Sequence, residues 1–189
     1  MAATAVSIIA MIITLAFVNG FQEKVADKIF GFWGHIRVQK YETGKSLISE
    51  ELPLTKNKTV ENSLATAPGV VSYQSFATKS AVLESNTEIE GVLIKGIEKN
   101  ENHTALKKFL VAGRWMQFTD SLYSKETIVS DAVAKALQIK INDTIKVHFV
   151  STNTDAQKTY RKLVVVGLYH TGIDEYDKLF MIAEINLIR

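Results

Sequence analysis

The chain has 189 residues, with 22 Lys or Arg against 20 Asp or Glu and a formal net charge of +2. This balance, without a basic stripe, argues against a nucleic-acid partner, and the absence of cysteine excludes disulfides and thiolate metal sites. Beyond the first thirty or so residues, enough chain remains for one sizeable core or two small subdomains.

The first predicted element is an apolar helix over residues 2–18, AATAVSIIAMIITLAFV, which contain no charge. A helix that is apolar on every face lies in lipid or inside a protein, and about 17 residues is the lower limit for crossing a bilayer. A signal peptide or a buried core helix is the alternative, but no Lys or Arg precedes the run and no good cleavage site follows it. We therefore expect a membrane span that includes Ala2, Ile8, Ile12, Leu15 and Val18.

The helical period continues past this run, because apolar residues recur every four positions with charged residues between them and no proline interrupts. We therefore expect one continuous helix to about Phe30. The aromatic residues at its end suit the headgroup region of a membrane, and they equally suit the first core positions of a soluble domain. The predicted coupling helix and its aromatic end comprise Phe21, Val25, Ile29, Phe30, Phe32 and Trp33.

The next elements in the chain have alternating strand and helix signals. Residues 35–41, HIRVQKY, alternate like a half-buried strand, and residues 57–67 have a helical apolar face that ends at Pro68-Gly69. Residues 70–85 and 88–98 are rich in β-branched and aromatic side chains and predict a hairpin that turns around Ser85-Asn86. This order is typical of an α/β layer in which a helix covers one face of a sheet.

A polar stretch near residue 99 begins a second unit with a strand–helix–strand pattern. Ser130 is the predicted N-cap of a helix that ends near Gln138, and Asn142-Asp143 turn the chain into a strand over residues 144–150. A second strand over residues 161–169 completes a hairpin. Residues 180–188 are predicted to form a strand and then a helix. We expect the chain to continue beyond both of its ends, because the charges that orient the first helix are missing and no polar tail closes the domain.

The tip of this second hairpin, residues 151–160, is polar and lies between two strands, where contacts with other proteins tend to concentrate. We therefore predict that it faces a partner. The candidate partner-facing residues are Ser151, Thr152, Asn153, Asp155, Lys158 and Tyr160.

Catalytic and metal-binding motifs are missing from the sequence. The four histidines are far apart and have no metal-ligand spacing, so each is expected to be a surface or strand residue. Asp174, Glu175 and Asp177, with His170 nearby, are the one candidate for acid–base or metal chemistry, but an exposed acidic loop that turns at Gly172 explains them as well. We predict no catalytic, cofactor or metal site. No phosphate-binding loop is present, so the chain cannot bind ATP through a Walker motif.

Two parts of the sequence resemble a known family. The stretch VNGFQEKVADKIFGFWGHIRV resembles the end of the first membrane helix in lipoprotein-releasing permeases of the LolC/LolE type. The stretches LVAGRWMQF, ETIVSDAVAKALQIKINDTIKV and RKLVVVGLYHTGIDEYDKLFM resemble the MacB-like periplasmic core that these permeases share with the FtsX-like family. The resemblance covers nearly the whole chain.

The resemblance implies an α+β fold, truncated at the C-terminus, in which an N-terminal transmembrane helix precedes two subdomains. Residues 1–33 would form the transmembrane helix and its extension, and residues 34–98 the first half of an α/β subdomain called Porter. Residues 99–178 would form a β-rich subdomain called Sabre, and residues 179–189 would begin the returning half of Porter.

The resemblance also implies a function, that of a permease subunit of an ABC-type transporter rather than an enzyme. Such a subunit lies in the bacterial inner membrane with its main domain in the periplasm. It couples cytoplasmic ATP hydrolysis to the release of lipoproteins, and no cofactor is implied. The implied partners are the membrane, a second permease subunit in a homo- or heterodimer, a cytoplasmic ATPase, lipoprotein cargo and a periplasmic carrier.

Three other functions remain open: MacB-like efflux, FtsX-like transmission of force in division, and a binding ectodomain on a single-span anchor. Two sequence features depart from the family pattern. The short tip over residues 151–160 has no proline, where one subunit of the lipoprotein branch has a proline-containing hook for the carrier. Gln138 and Asn142 stand where glycine is frequent, and Asn tolerates a left-handed backbone.

Overall fold

The computed structural model describes residues 2–40, 54–55, 57–119, 122–150 and 160–188. It contains two compact units, Met1–Arg37 and Val38–Arg189. Its chain has mixed α/β structure, with an apolar N-terminal helix and a β-rich domain, as the sequence predicted.

The first unit is built on one helix, α1, which runs without a break from Ala2 to Trp33. Its 32 residues span about 48 Å at 1.5 Å per residue, and the predicted continuity past Gly20 is confirmed. The helix ends at Gly34, whose φ of +85° is left-handed and whose N–H donates to the carbonyl of Phe30 at 2.8 Å. A left-handed glycine directly after the last turn is a common way to stop a helix.

The second unit contains short helices and seven strands. The helices are α2 (Lys58–Thr66), α3 (Thr104–Lys107), α4 (Asp131–Ala136) and α5 (Asp174–Leu179), with a 3-10 turn at Ile185–Leu187. The strands are β1 (Phe76–Glu84), β2 (Ile89–Ile97), β3 (Leu110–Gly113), β4 (Glu126–Ser130), β5 (Thr144–Phe149), β6 (Tyr160–Tyr169) and β7 (Phe180–Glu184).

Six of these strands close into a barrel. The hydrogen-bonded order is β3-β6-β4-β7-β2-β1-β5, and β5 pairs in addition with β6. The ring β6-β4-β7-β2-β1-β5 therefore returns to its starting strand. Strand β6 is long enough to pair with β5 over its first half and with β3 near its end. Closure leaves no free edge on the ring, and β3 is the one strand of the described chain that pairs on a single side only.

The barrel interior is the hydrophobic core. Alternating residues of β1, β5 and β6 point inward, and α4 adds its own apolar face to the same cluster. Helix α4 is capped by Ser130, the residue before it. The Ser130 hydroxyl accepts a hydrogen bond from the N–H of Val133 at 3.0 Å. The buried core residues include Ala81, Leu83, Val92, Ile94, Val129, Val133, Leu137, Ile145, Val147, Leu163, Val165 and Met181.

Several sequence predictions are confirmed in this unit. Helix α2 occupies the predicted segment and begins at the N-cap Asn57, whose side chain accepts from the N–H of Thr59. The hairpin β1–β2 turns at the predicted place, and β5 pairs antiparallel with β6. The chain leaves α4 through Gln138 and turns at Asn142, with φ of 54° and 74°. Both residues adopt the left-handed conformation.

Three predictions about strands need correction. Residues 35–40 form no strand, since their alternating Ile36 and Val38 are exposed and no neighbouring strand pairs with them in the described chain. Residues 70–75 are also extended without pairing, so β1 begins at Phe76. Tyr160, predicted in the hairpin tip, is the first residue of β6 and pairs with His148. The rest of the predicted tip, 151–159, lies outside the described residues.

The predicted boundary between residues 98 and 99 lies within a continuous sheet. Strands β1 and β2 precede it and the other five strands follow it, yet β2 pairs with β7 and β1 pairs with β5. The assignment of residues 34–98, 99–178 and 179–189 to separate subdomains stays a prediction.

Candidate functional site

Helix α1 presents apolar side chains in all directions. Of the predicted span and coupling residues, Ile8, Ile12, Leu15, Val18, Phe21, Ile29 and Phe30 are exposed. Val25 is half-buried. Over Ala3–Trp33 the helix has a mean hydropathy of 2.1 in its most apolar window and is long enough to cross a bilayer. It is the one helix of the described residues with both properties.

The aromatic residues at the end of α1 pack against one another and against the residues that follow the helix. Phe32 is only 2% exposed and lies edge-on to Trp33, with ring centroids 5.2 Å apart. The guanidinium of Arg37 lies over the Trp33 ring at 4.3 Å, a cation–π arrangement. Phe30 stacks on His35 at 4.5 Å. The predicted interface aromatics therefore form a small cluster at the point where the helix ends.

The base of the β5–β6 hairpin is held by a polar cluster on the outer face of the barrel. Glu84 of β1 binds Lys146 Nζ at 2.5 Å and His148 Nε2 at 2.8 Å, both on β5. Hydrogen bonds from these two side chains lower the pKa of the Glu84 carboxyl. The ring of Tyr160 on β6 lies 5.7 Å from the His148 ring and 5.9 Å from Lys146 Nζ. Three strands are thus tied together beside the predicted tip.

The acidic segment after β6 is not an exposed loop, and this prediction needs correction. Residues Asp174–Leu179 form α5, and Asp177 is buried. Asp174 and Glu175 stay exposed, and Asp174 pairs with Lys178 at 3.0 Å. The loop does turn at Gly172, whose φ is 73°.

Asp177 lies beside His170, as the sequence suggested, and His170 also contacts Asp131, which the sequence analysis did not include. His170 Nδ1 lies 3.0 Å from Asp131 Oδ1 and 3.2 Å from Asp177 Oδ2. Asp131 follows β4 directly and His170 follows β6, and these adjacent strands run parallel with Ser130 opposite Tyr169. The parallel register therefore brings Asp131 beside His170. Only knowledge of that pairing could have predicted the trio.

His103 also departs from the prediction of a surface or strand residue. It is buried before α3, where its Nε2 donates to the carbonyl of Glu98 at 2.8 Å. Its ring stacks with the rings of Trp115 and Phe118, with ring centroids 5.9 and 5.5 Å away. Burial lowers the pKa of His103, and the positive charges of Lys107 and Lys95 lower it further.

Comparison with known proteins gives the family. The profile of the MacB-like periplasmic core domain matches residues 1–183. The lipoprotein-releasing system transmembrane protein LolC of Buchnera aphidicola is 27% identical over 187 residues, which cover 92% of this chain and 42% of that protein. The LolC protein of Neisseria meningitidis is 23% identical, over 97% of this chain and 43% of that protein.

A further relative and one solved structure are more distant. The transmembrane protein LolE of Haemophilus influenzae is 22% identical over 81% of this chain and 35% of its own length. The extracellular domain of the noncanonic ABC-type transporter YknZ from Gram-positive bacteria superposes with a TM-score of 0.47 at 20% identity, over 69% of this chain and 63% of that one. This chain thus spans less than half the length of its curated relatives. From the match over residues 1–183, the chain belongs to the family of MacB-like periplasmic core domains.

Proposed function

We propose that this chain is the membrane-anchored periplasmic part of an ABC-type permease subunit, and that it couples cytoplasmic ATP hydrolysis to the release of lipoproteins from the bacterial inner membrane. The observation that carries the proposal is the unbroken α1, whose 32 residues are about half again as long as a bilayer span requires. The LolC and LolE relatives support the cargo, because their names describe a lipoprotein-releasing system.

A continuous helix transmits movement better than a flexible linker does. An α-helix is held by a hydrogen bond at every residue, so a shift or tilt of its membrane half displaces the outer half with it. Rigid-body shifts of helices are a common way of coupling distant sites. In this proposal, α1 carries the movement that a separate ATPase produces on the cytoplasmic side.

The length of α1 also determines how far its aromatic end lies from the membrane core. If residues 2–21 fill a hydrocarbon core of about 30 Å, then Phe30 and Trp33 lie roughly 14–18 Å beyond its edge at 1.5 Å per residue. That depth is outside a headgroup layer of about 5–8 Å. On this placement we infer that Phe30, Phe32 and Trp33 lie beyond the headgroup layer and do not form a membrane-interface belt.

The proposed partners follow from this role. A second permease subunit would complete the membrane assembly, a cytoplasmic ATPase would supply the energy, and lipoprotein cargo and a periplasmic carrier would be met outside. The hairpin formed by β5 and β6 is the proposed partner-facing element, since Glu84 of β1 holds β5 through Lys146 and His148 and the polar segment 151–159 connects the two strands in the sequence.

The test is to break α1 at Gly20 in the full-length protein, reconstituted with its partner ATPase in vesicles. Gly20→Pro removes one helical hydrogen bond and costs about 3 kcal/mol or more of helix stability. We expect it to abolish ATP-dependent release of a lipoprotein to an added carrier while ATP hydrolysis persists. The control is Gly20→Ala, since no atom lies within 4 Å of the added Cβ. It should leave release unchanged.

The result that contradicts the proposal is normal lipoprotein release by a correctly inserted Gly20→Pro protein. Insertion is measured by protease protection of the periplasmic domain. A wild-type protein that drives ATP-dependent movement of small molecules but no lipoprotein release would favour the efflux alternative instead.

A further inference from the structure

Asp131, His170 and Asp177 meet at one end of the barrel, and each comes from a different element. Asp131 begins α4, His170 follows β6, and Asp177 lies in α5. One atom of each residue points to a common place: Asp131 Oδ1, His170 Nδ1 and Asp177 Oδ2 all lie within 4.8 Å of one another. The three residues are defined here as the α4–α5 triad.

The buried member of the triad is fixed in place by its surroundings. Asp177 Oδ1 accepts from the N–H and the hydroxyl of Thr171, both at 2.8 Å, and its Oδ2 accepts from the N–H of Gly172 at 2.9 Å. These bonds orient the carboxylate so that Oδ2 faces His170. Hydrogen bonds of this kind hold the ligands of metal sites in position and contribute to their affinity.

The other two members leave one side of the triad open to solvent. The side chains of His170 and Asp131 are 52% and 29% exposed, against 4% for Asp177. Asp131 and His170 are therefore accessible to an ion from solvent. Lys135 Nζ lies 3.5 Å from the other oxygen of Asp131.

We propose that the α4–α5 triad binds a divalent transition-metal ion, with water completing the coordination from the open side. One imidazole nitrogen and two carboxylate oxygens are donors that suit Zn²⁺ or Mn²⁺ better than Mg²⁺, because an imidazole is a poor ligand for a hard cation. At a metal–ligand distance of about 2.1 Å, the observed separations of 3.0 and 3.2 Å correspond to angles of about 90–100°.

The ion would bind His170 through Nδ1, which lies within 3.2 Å of an oxygen of each carboxylate. Metal binding would thus join α4 to α5. This inference departs from the sequence prediction of no metal site. It stands apart from the proposed transport function, because that proposal rests on α1 in the first unit and the triad lies in the second.

The experiment is calorimetric titration of the full chain in detergent with ZnCl₂, MnCl₂ and MgCl₂. We expect one Zn²⁺ or Mn²⁺ per chain and at least about tenfold weaker binding of Mg²⁺. His170→Gln and Asp131→Asn should each weaken Zn²⁺ binding by about tenfold or more. Asp177 is left unchanged, since its loss would also disturb the loop at Thr171 and Gly172.

Two matched controls separate a metal site from ordinary surface binding. Asp174→Asn removes an exposed carboxylate of α5 outside the triad, and His148→Gln removes a histidine outside the triad that pairs with Glu84. Both should bind Zn²⁺ as the wild type does. The proposal is overturned if the wild type binds no Zn²⁺ or Mn²⁺ at millimolar concentration, or if the triad variants bind them as well as the controls do. In either case the triad is an ion-paired link between α4 and α5 only.

Discussion

Gly113, at the end of β3, has no room for a side chain. Its φ is +79°, and an added Cβ would overlap the carbonyl oxygen of Val166 and lie 2.9 Å from Gly167 Cα. These atoms belong to the backbone of β6, so they cannot move without loss of the pairing between β3 and β6. The position therefore requires glycine on two independent grounds, conformation and space.

We predict that Gly113→Ala lowers the free energy of unfolding by about 2–4 kcal/mol, from the left-handed backbone and the overlap together. Gly91→Ala is the control, because nothing lies within 4 Å of its added Cβ. It should change stability by less than about 0.5 kcal/mol. Chemical denaturation measures both variants, and equal effects would contradict the argument.

His103 should make stability depend on pH. Burial lowers its pKa in the folded chain from 6.5, so the unfolded chain takes up a proton at a higher pH than the folded chain does. The free energy of unfolding should therefore be highest above about pH 6.5 and fall as the pH is lowered below it. Glu84 and Glu126 have lowered pKa values, so they lose their contributions only below 4.5.

The measurement is denaturation between pH 5 and pH 8. His103→Gln should flatten the slope in the window just below pH 6.5, and His35→Gln, which changes an exposed side chain, should keep it. Burial raises the pKa of Glu101 in the folded chain above 4.5. Between pH 4.5 and that raised pKa, Glu101 should make the free energy of unfolding rise as the pH falls, which is opposite to the effect of His103. An unchanged slope in His103→Gln would show that another group causes the dependence.

At the scale of elements, the predictions that succeeded concern local patterns. Helix α1 follows from its composition, and α4 follows from Ser130 and the apolar face behind it. A strand differs, because its stability depends on a partner that the alternation alone does not identify. Residues 35–40 alternate apolar and polar side chains as regularly as β5 does. In the described chain, however, only β5 pairs with a strand on each side. The α4–α5 triad escaped prediction for the same reason, since Asp131 and His170 meet only through the parallel pairing of β4 with β6.

The hairpin of β5 and β6 should fold without its native tip. Five residue pairs join the two strands, and β5 also pairs with β1. We predict that a Gly-Ser turn in place of residues 151–159 leaves stability nearly unchanged. We further predict that it reduces lipoprotein release by no more than about twofold, because the tip has no aromatic anchor of the kind that dominates tight interfaces.

Both quantities are measured on the reconstituted protein, together with crosslinking to the carrier. Loss of crosslinking in a folded variant would mean that the tip is the main docking element. In that event, the missing proline in residues 151–160 would carry no information about docking.

At the scale of the whole molecule, the closed barrel predicts one cooperative unit in residues 76–184. Strands β1 and β2 contribute buried residues to the same core as β5 and β6, so they should not open separately. We expect amide hydrogen exchange of β1, β2, β5, β6 and β7 to proceed at a common slow rate, and β3, with one unpaired edge, to exchange faster.

This measurement also tests the boundary predicted between residues 98 and 99. Faster exchange of β1 and β2 as a pair, with the other barrel strands still protected, would support two subdomains. Ile145→Ala, at a fully buried position of β5, should speed exchange in all barrel strands together, since it costs about 2–5 kcal/mol of the shared core.

The position of β7 in the ring sets an order of events during synthesis. Strand β7 lies between β2 and β4 and is the last of the seven strands to leave the ribosome. Until it emerges, β2 and β4 each lack a neighbour, although the hairpin of β1 and β2 can already form. Pairings between such distant segments are slow to form, and uncovered strands invite association with other chains. The nascent chain would therefore spend this interval with open sheet edges, and binding by a chaperone at this stage should raise the yield of folded protein.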